Sequence, residues 1–96
     1  MAAGDKFIAK NGSLANNGFL TVQPGAGVEA VIHNILVPAG VTIGVTAYDG
    51  TDEVEWHNGP GPLLSHNIGI TNTNYMRVQN KSGSVIKIVV QGVETK

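Results

Sequence analysis

Four of the seven carboxylates in this chain, Asp49, Asp52, Glu53 and Glu55, fall within seven positions and form the only charge cluster in 96 residues. Hard cations take roughly six to eight oxygen ligands, and clustered carboxylates with turn carbonyls can supply several of them. Asp49, Asp52 and Glu53 are therefore the residues a calcium ion would use. The spacing lacks the alternating pattern of a calcium loop with its closing bidentate Glu, and Asp49-Gly50 is accounted for by a tight turn alone. No metal is assigned. The plainer expectation is a solvated hairpin tip with Glu53 and Glu55 outward and Val54 and Trp56 inward.

The three histidines, His33, His57 and His66, stand too far apart in sequence to declare a shared ligand set. His66 alternates with Leu64 and Ile68, so a hydrogen-bonded core or interface histidine is the default, whereas His57 follows Trp56 at a Gly-Pro loop and is expected at the surface. Ser13, Ser65, Ser82 and Ser84 have no strand-to-helix elbow around them. Gly40 and Gly44 precede no helix and form no phosphate cradle. A carboxylate pair for glycoside cleavage would need a cleft for which so small a domain has little volume. With no Cys, thiolate zinc sites, cysteine nucleophiles and disulfides are excluded. The chain reads as a non-enzyme with no catalytic residues and no cofactor. Trp56, Tyr48 and Tyr75 can form a stacking platform for sugar rings, with Trp56 and Tyr75 the main candidates. Against that stands an aromatic content of only 5%, and a single Trp in a small domain is more often core.

These side chains must be positioned by strands. Gly, Asn, Thr and Val are weak helix formers and dominate every stretch beyond Phe19. Val41, Ile43, Val45 and Ala47 alternate with Thr42, Gly44, Thr46 and Tyr48, and Ile86, Ile88 and Val90 alternate with Val85, Lys87, Val89 and Gln91. Residues 19–23, 28–37, 53–57, 63–70 and 75–80 read as further strands, about seven in all. Turn residues punctuate them, among them Gln23-Pro24-Gly25, Pro38-Ala39-Gly40 and Lys81-Ser82-Gly83. Asp49-Gly50 predicts a type I′ turn, which needs positive φ at both positions, and hence a hairpin over residues 41–57. The expectation is an all-β chain: a small antiparallel β-sandwich, jelly-roll-like or barrel-like, with an extended N-terminal arm.

Residues 1–18 behave differently from residues 19–96, mixing polar residues with isolated apolar Phe7, Ile8 and Leu14. Two readings stand: an arm that docks on a neighbouring subunit, or a tail that covers a sheet edge of its own chain. The final strand is apolar on both faces, which points its Val85 and Val89 side at an oligomer interface. Phe7, Ile8, Leu14, Val85 and Val89 are thus the expected interface residues.

Charge narrows the partners. Lys plus Arg number 6 against 7 Asp plus Glu, a net charge of -1, and charged residues make up 14% where about 25% is usual. Six scattered cations cannot build the footprint that phosphate binding needs, so neither nucleic acid nor a membrane surface is an expected partner. No apolar run reaches the ~20 residues of a spanning helix, and the first residues lack the basic flank and apolar core of a secretion signal. Nine Asn and seven Thr offer neutral hydrogen bonding that can be satisfied across a subunit seam.

In the segments Asn17-Gly18-Phe19-Leu20-Thr21-Val22-Gln23-Pro24, Glu29-Ala30-Val31-Ile32-His33-Asn34-Ile35 and Ile70-Thr71-Asn72-Thr73-Asn74-Tyr75-Met76-Arg77-Val78-Gln79-Asn80-Lys81-Ser82-Gly83-Ser84, the chain resembles small β-structured capsid decoration, or cement, proteins of tailed bacteriophages. The resemblance implies a non-enzymatic structural virion protein, made in the bacterial host cytoplasm and placed on the capsid exterior. It further implies a homotrimer that binds the major capsid protein and reinforces the head shell. The alternative is a carbohydrate-binding or adhesion module of a phage fibre or surface assembly, which shares the sandwich and needs an exposed aromatic.

Overall fold

Each run in which β-branched residues alternate with polar ones becomes a strand with one face turned inward. The computed structural model describes residues 4–96 and contains eight strands: β1 (Lys6–Leu14), β2 (Phe19–Val22), β3 (Glu29–Leu36), β4 (Thr42–Tyr48), β5 (Glu53–Pro60), β6 (Ile68–Thr71), β7 (Tyr75–Asn80) and β8 (Ile86–Glu94). Two four-stranded antiparallel sheets pack face to face, one in the order β1-β8-β3-β6 and the other β2-β7-β4-β5. The protein is a small all-β sandwich, and no helix occurs among the described residues.

Its strand order has a simple origin. β1 pairs β8, β2 pairs β7, β3 pairs β6 and β4 pairs β5, so the chain is one long hairpin with its tip between β4 and β5. Rolling that hairpin up creates the remaining pairings, β3 with β8 and β4 with β7, and gives an eight-stranded jelly roll. Ile32, Ile35, Ile43, Val45, Val78, Ile88 and Val90 fill the space between the sheets.

Several expectations change. The segment expected as an arm contains β1, which lies along β8 of the same chain from Lys6↔Val93 to Leu14↔Ile86; this is the reading in which the tail covers a sheet edge in cis. The first three residues of that segment lie outside the described residues. A register shift between Asn11 and Leu14 turns Leu14 into the core, where it is 5% exposed, and Phe7 packs against the same core. Leu14 is therefore not an interface residue of this fold; of the three apolar side chains, only Ile8, 53% exposed, is left outward.

The strand expected over residues 63–70 is shorter. Leu63 makes an isolated bridge to Ile35, Ser65 then adopts φ 60° and breaks the extended path, and regular pairing resumes only at Ile68. The Asn34 side-chain oxygen accepts the Ser65 N–H at 3.1 Å and holds the kink. Between β4 and β5 the hairpin is as expected, but its turn is not type I′ at Asp49-Gly50: of the two, only Gly50 has positive φ, at 94°. Asp49 instead uses its carboxylate to cap the loop.

Candidate functional site

Short β6 leaves one edge of the sandwich open. Its four residues face a β5 of eight residues, so part of the inward side of β5 has nothing opposite it. The result is a cleft of about 300 Å³ with Ala47, Val54, Trp56, Ile68, Ile70 and Met76 as its apolar lining, and Tyr48, Asp49, Asp52, Glu53, Asn74 and Tyr75 also around it. Val54 and Trp56, the inward residues of the expected hairpin tip, are 65% and 40% exposed at this open cleft.

Trp56 also occupies a β-bulge. Val45 pairs with His57 and Thr46 with Glu55, so Trp56 is the extra residue with no partner on β4. Its ring lies 6.4 Å from both the His57 and His66 rings. His66 is held by His33: the His66 N–H donates to the His33 carbonyl at 2.9 Å, and His33 Nδ1 lies 2.9 Å from the His66 carbonyl oxygen. His33 itself sits at the register shift between Ile32 and Asn34. Tyr75 meets Tyr48 edge-on, with ring centroids 5.5 Å apart and planes at 83°. Thus the two aromatics singled out for ligand stacking, Trp56 and Tyr75, do line one cleft.

The acidic cluster divides among separate partners. One oxygen of Asp49 accepts the backbone N–H groups of Asp52 at 2.7 Å and Thr51 at 2.9 Å. These bonds, that from Asp52 foremost, hold the Asp49 carboxyl below the usual aspartate range. Glu53 pairs with Arg77, and Glu55 receives both its bonds from Lys81 Nζ, at 2.9 and 3.0 Å. The three candidate cation ligands Asp49, Asp52 and Glu53 thus do not converge: one oxygen of Asp49 caps its own turn and Glu53 pairs with Arg77. Among the described residues no three His, Asp or Glu side chains converge on a metal position.

Arg77 was not singled out from the sequence, yet it organises the outer face of this sheet. Its guanidinium lies 4.6 Å from the Phe19 ring centroid and 4.3 Å from that of Tyr48, between the two rings. The alternation of Phe19, Arg77 and Tyr48 on three adjacent strands is the signal, and it becomes visible only once β2, β7 and β4 are neighbours.

The chain matches no family model and no curated protein.

A second hollow, of about 280 Å³, lies on the outer side of the other sheet and is lined by Lys6, Ile8, His33, Asn34, Gln91 and Gly92. Val85, just before β8, is well exposed, while Val89 is half-buried beside Leu36 and Lys10. Ile8, Val85 and Val89 remain on the surface as the expected interface residues. Phe7 and Leu14 serve the core.

Proposed function

We propose that the protein is a non-enzymatic structural virion component: a capsid decoration protein of a tailed bacteriophage that forms a homotrimer, binds the major capsid protein and reinforces the head shell from outside. The observation that carries this reading is the placement of exposed apolar side chains on separate regions of one small roll, Ile8 on β1, Val85 just before β8, and Val54, Trp56 and Leu64 along the open edge. A domain of this size that leaves such patches in water supports a role in which neighbours cover them. Low charge supports it too, since neutral surfaces enter interfaces without leaving unpaired charges behind. The jelly roll is an architecture used by viral capsid and lectin domains, which agrees with the reading without deciding it.

The test is co-sedimentation with phage heads before and after expansion. Binding to the expanded shell and not to unassembled shell protein is the expected result. Equal binding to both would count against decoration.

A second reading, a carbohydrate-binding or adhesion module, is favoured by one observation: Trp56 and Tyr75 line the same open cleft beside Asp49, Asp52 and Asn74. Aromatic faces stack on sugar rings, and carboxylates and amides take the hydroxyl groups. Trp56 is the only Trp, so its emission reports the cleft directly. A saturable change in that emission on titration with a glycan, together with heat of binding by calorimetry that is present in the wild type and lost in Trp56→Ala, would establish this reading in place of the first.

A further inference from the structure

The charges of the two apolar regions are opposite. On the outer face of the sheet β1-β8-β3-β6, Ile8 stands among half-buried Val31, Leu36, Val89 and Val93, with Lys6, Lys10 and Lys87 around them. Among the described residues none of these three lysines has an ion-pair partner. One carboxylate on this face, Glu29 at the start of β3 two positions from Val31, is met by Lys96 at 3.6 Å. The cleft at the β5 edge presents Val54 and Trp56, with Asp49 and Asp52 beside them and no lysine or arginine lining it. Asp52 is exposed and neither accepts a side-chain hydrogen bond nor forms an ion pair among the described residues.

We propose that the occupant of the cleft is a second copy of this chain, whose outer sheet face inserts Ile8 toward Trp56 and sets Lys6 and Lys10 against Asp52 and Asp49. This rests on the oligomeric reading above and specifies how the copies meet. The two patches lie on different sides of one subunit, the cleft between the sheets and the lysine face on the outside of one of them, so the contact is heterologous and runs head to tail. Such a contact uses both patches on every copy when it closes into a ring, and a homotrimer is the ring proposed here. Like charges oppose docking of a face on another face or of a cleft on another cleft, which favours the head-to-tail arrangement over a two-fold dimer.

The test is light scattering after size exclusion on the full chain, across roughly 1–100 µM, with Lys10→Glu, Asp52→Lys and the double variant. Both side chains are exposed and unpaired, so melting temperature serves as a control for folding. Each single variant should weaken association by about tenfold or more, and the double variant should restore it, because the reversed charges again face each other. An oligomer that ignores both substitutions, or a double variant no better than the single ones, would overturn this contact while leaving the oligomeric reading standing. A wild-type chain that is monomeric throughout the range would overturn the contact. If that monomer also failed to bind expanded heads, the decoration reading would fall with it.

Discussion

Replacing Asn80 with Ala should remove about 3 kcal/mol of stability, most of it from one end of the roll. Asn80 lies at the end of β7 and is fully buried. Its Nδ2 donates to the carbonyls of Leu14 at 2.9 Å and Ser84 at 2.7 Å, and its Oδ1 accepts the Ser82 N–H at 2.9 Å. One side chain thus ties the end of β1 to the turn between β7 and β8. In Asn80→Ala the buried Leu14 carbonyl loses its side-chain donor, a cost of about 1–3 kcal/mol. The Ser82 and Ser84 groups lie nearer water and recover part of their loss, at about 0.5–1 kcal/mol each. At about 4–8 °C per kcal/mol for a domain near this size, the melting temperature falls by about 12–24 °C. Thermal and urea unfolding followed by circular dichroism at one fixed protein concentration would measure this, since oligomers melt in a concentration-dependent way. Asn80→Asp should be at least as damaging at neutral pH, because it turns two donors into acceptors facing carbonyl oxygens. A loss under about 1 kcal/mol with an unchanged urea dependence would refute the claim that this amide is the latch.

Three further outcomes are expected. Gly92→Ala should cost about 2–3 kcal/mol in the same unfolding assays, because a Cβ there meets the Val31 carbonyl and lies 2.9 Å from Ile32 Cα, both backbone; Gly69→Ala, with nothing within 4 Å, should be neutral. Arg77→Lys keeps the charge beside Glu53 but loses the planar stack between Phe19 and Tyr48, for a loss of about 1 kcal/mol by urea unfolding. Asp49 has a lowered folded pKa, so its contribution is present in full above the unfolded value of roughly 4 and disappears as pH falls through the folded one. The stability gap between wild type and Asp49→Asn should therefore be constant from about pH 5 to 7 and close in more acidic buffer; a gap that widens with acid would show that the loop carboxylate acts otherwise.

What the sequence made legible was whatever depends on near neighbours. Alternation in residues 75–80 and 86–90 marks strands because alternate side chains are buried and the others are more exposed, whereas in β4 the small Gly44 and Thr46 are buried as well as Ile43 and Val45. β1 escaped this logic as an edge strand: its outward Lys6, Ile8 and Lys10 mix charge with one apolar residue, and that texture is the same in a loose tail. Leu63 and Leu64 read as strand because hydrophobicity alone does not reveal the positive φ at Ser65. The ion pairs of the acidic cluster were not legible because its partners, Arg77 and Lys81, lie 24 and 26 positions from Glu53 and Glu55. Trp56 and Tyr75 could be chosen by residue type, but their shared cleft depends on a mismatch in length between β5 and β6, two strands of different sheets.

Because the roll is a single long hairpin, its pairings are ordered by the length of chain each must close. β4 and β5 meet across a four-residue loop, whereas Lys6 must find Val93 at the other end of the molecule. Chain entropy favours assembly as a zip from the tip, with β1 the last strand to join. The same ordering runs in reverse during thermal opening, so β1 should be the first to leave and its amide protons the fastest of the eight strands to exchange with solvent. The edge it vacates on β8 is a ready seat for the same strand of another molecule, which makes high concentration during refolding the condition under which entangled, strand-exchanged species would form.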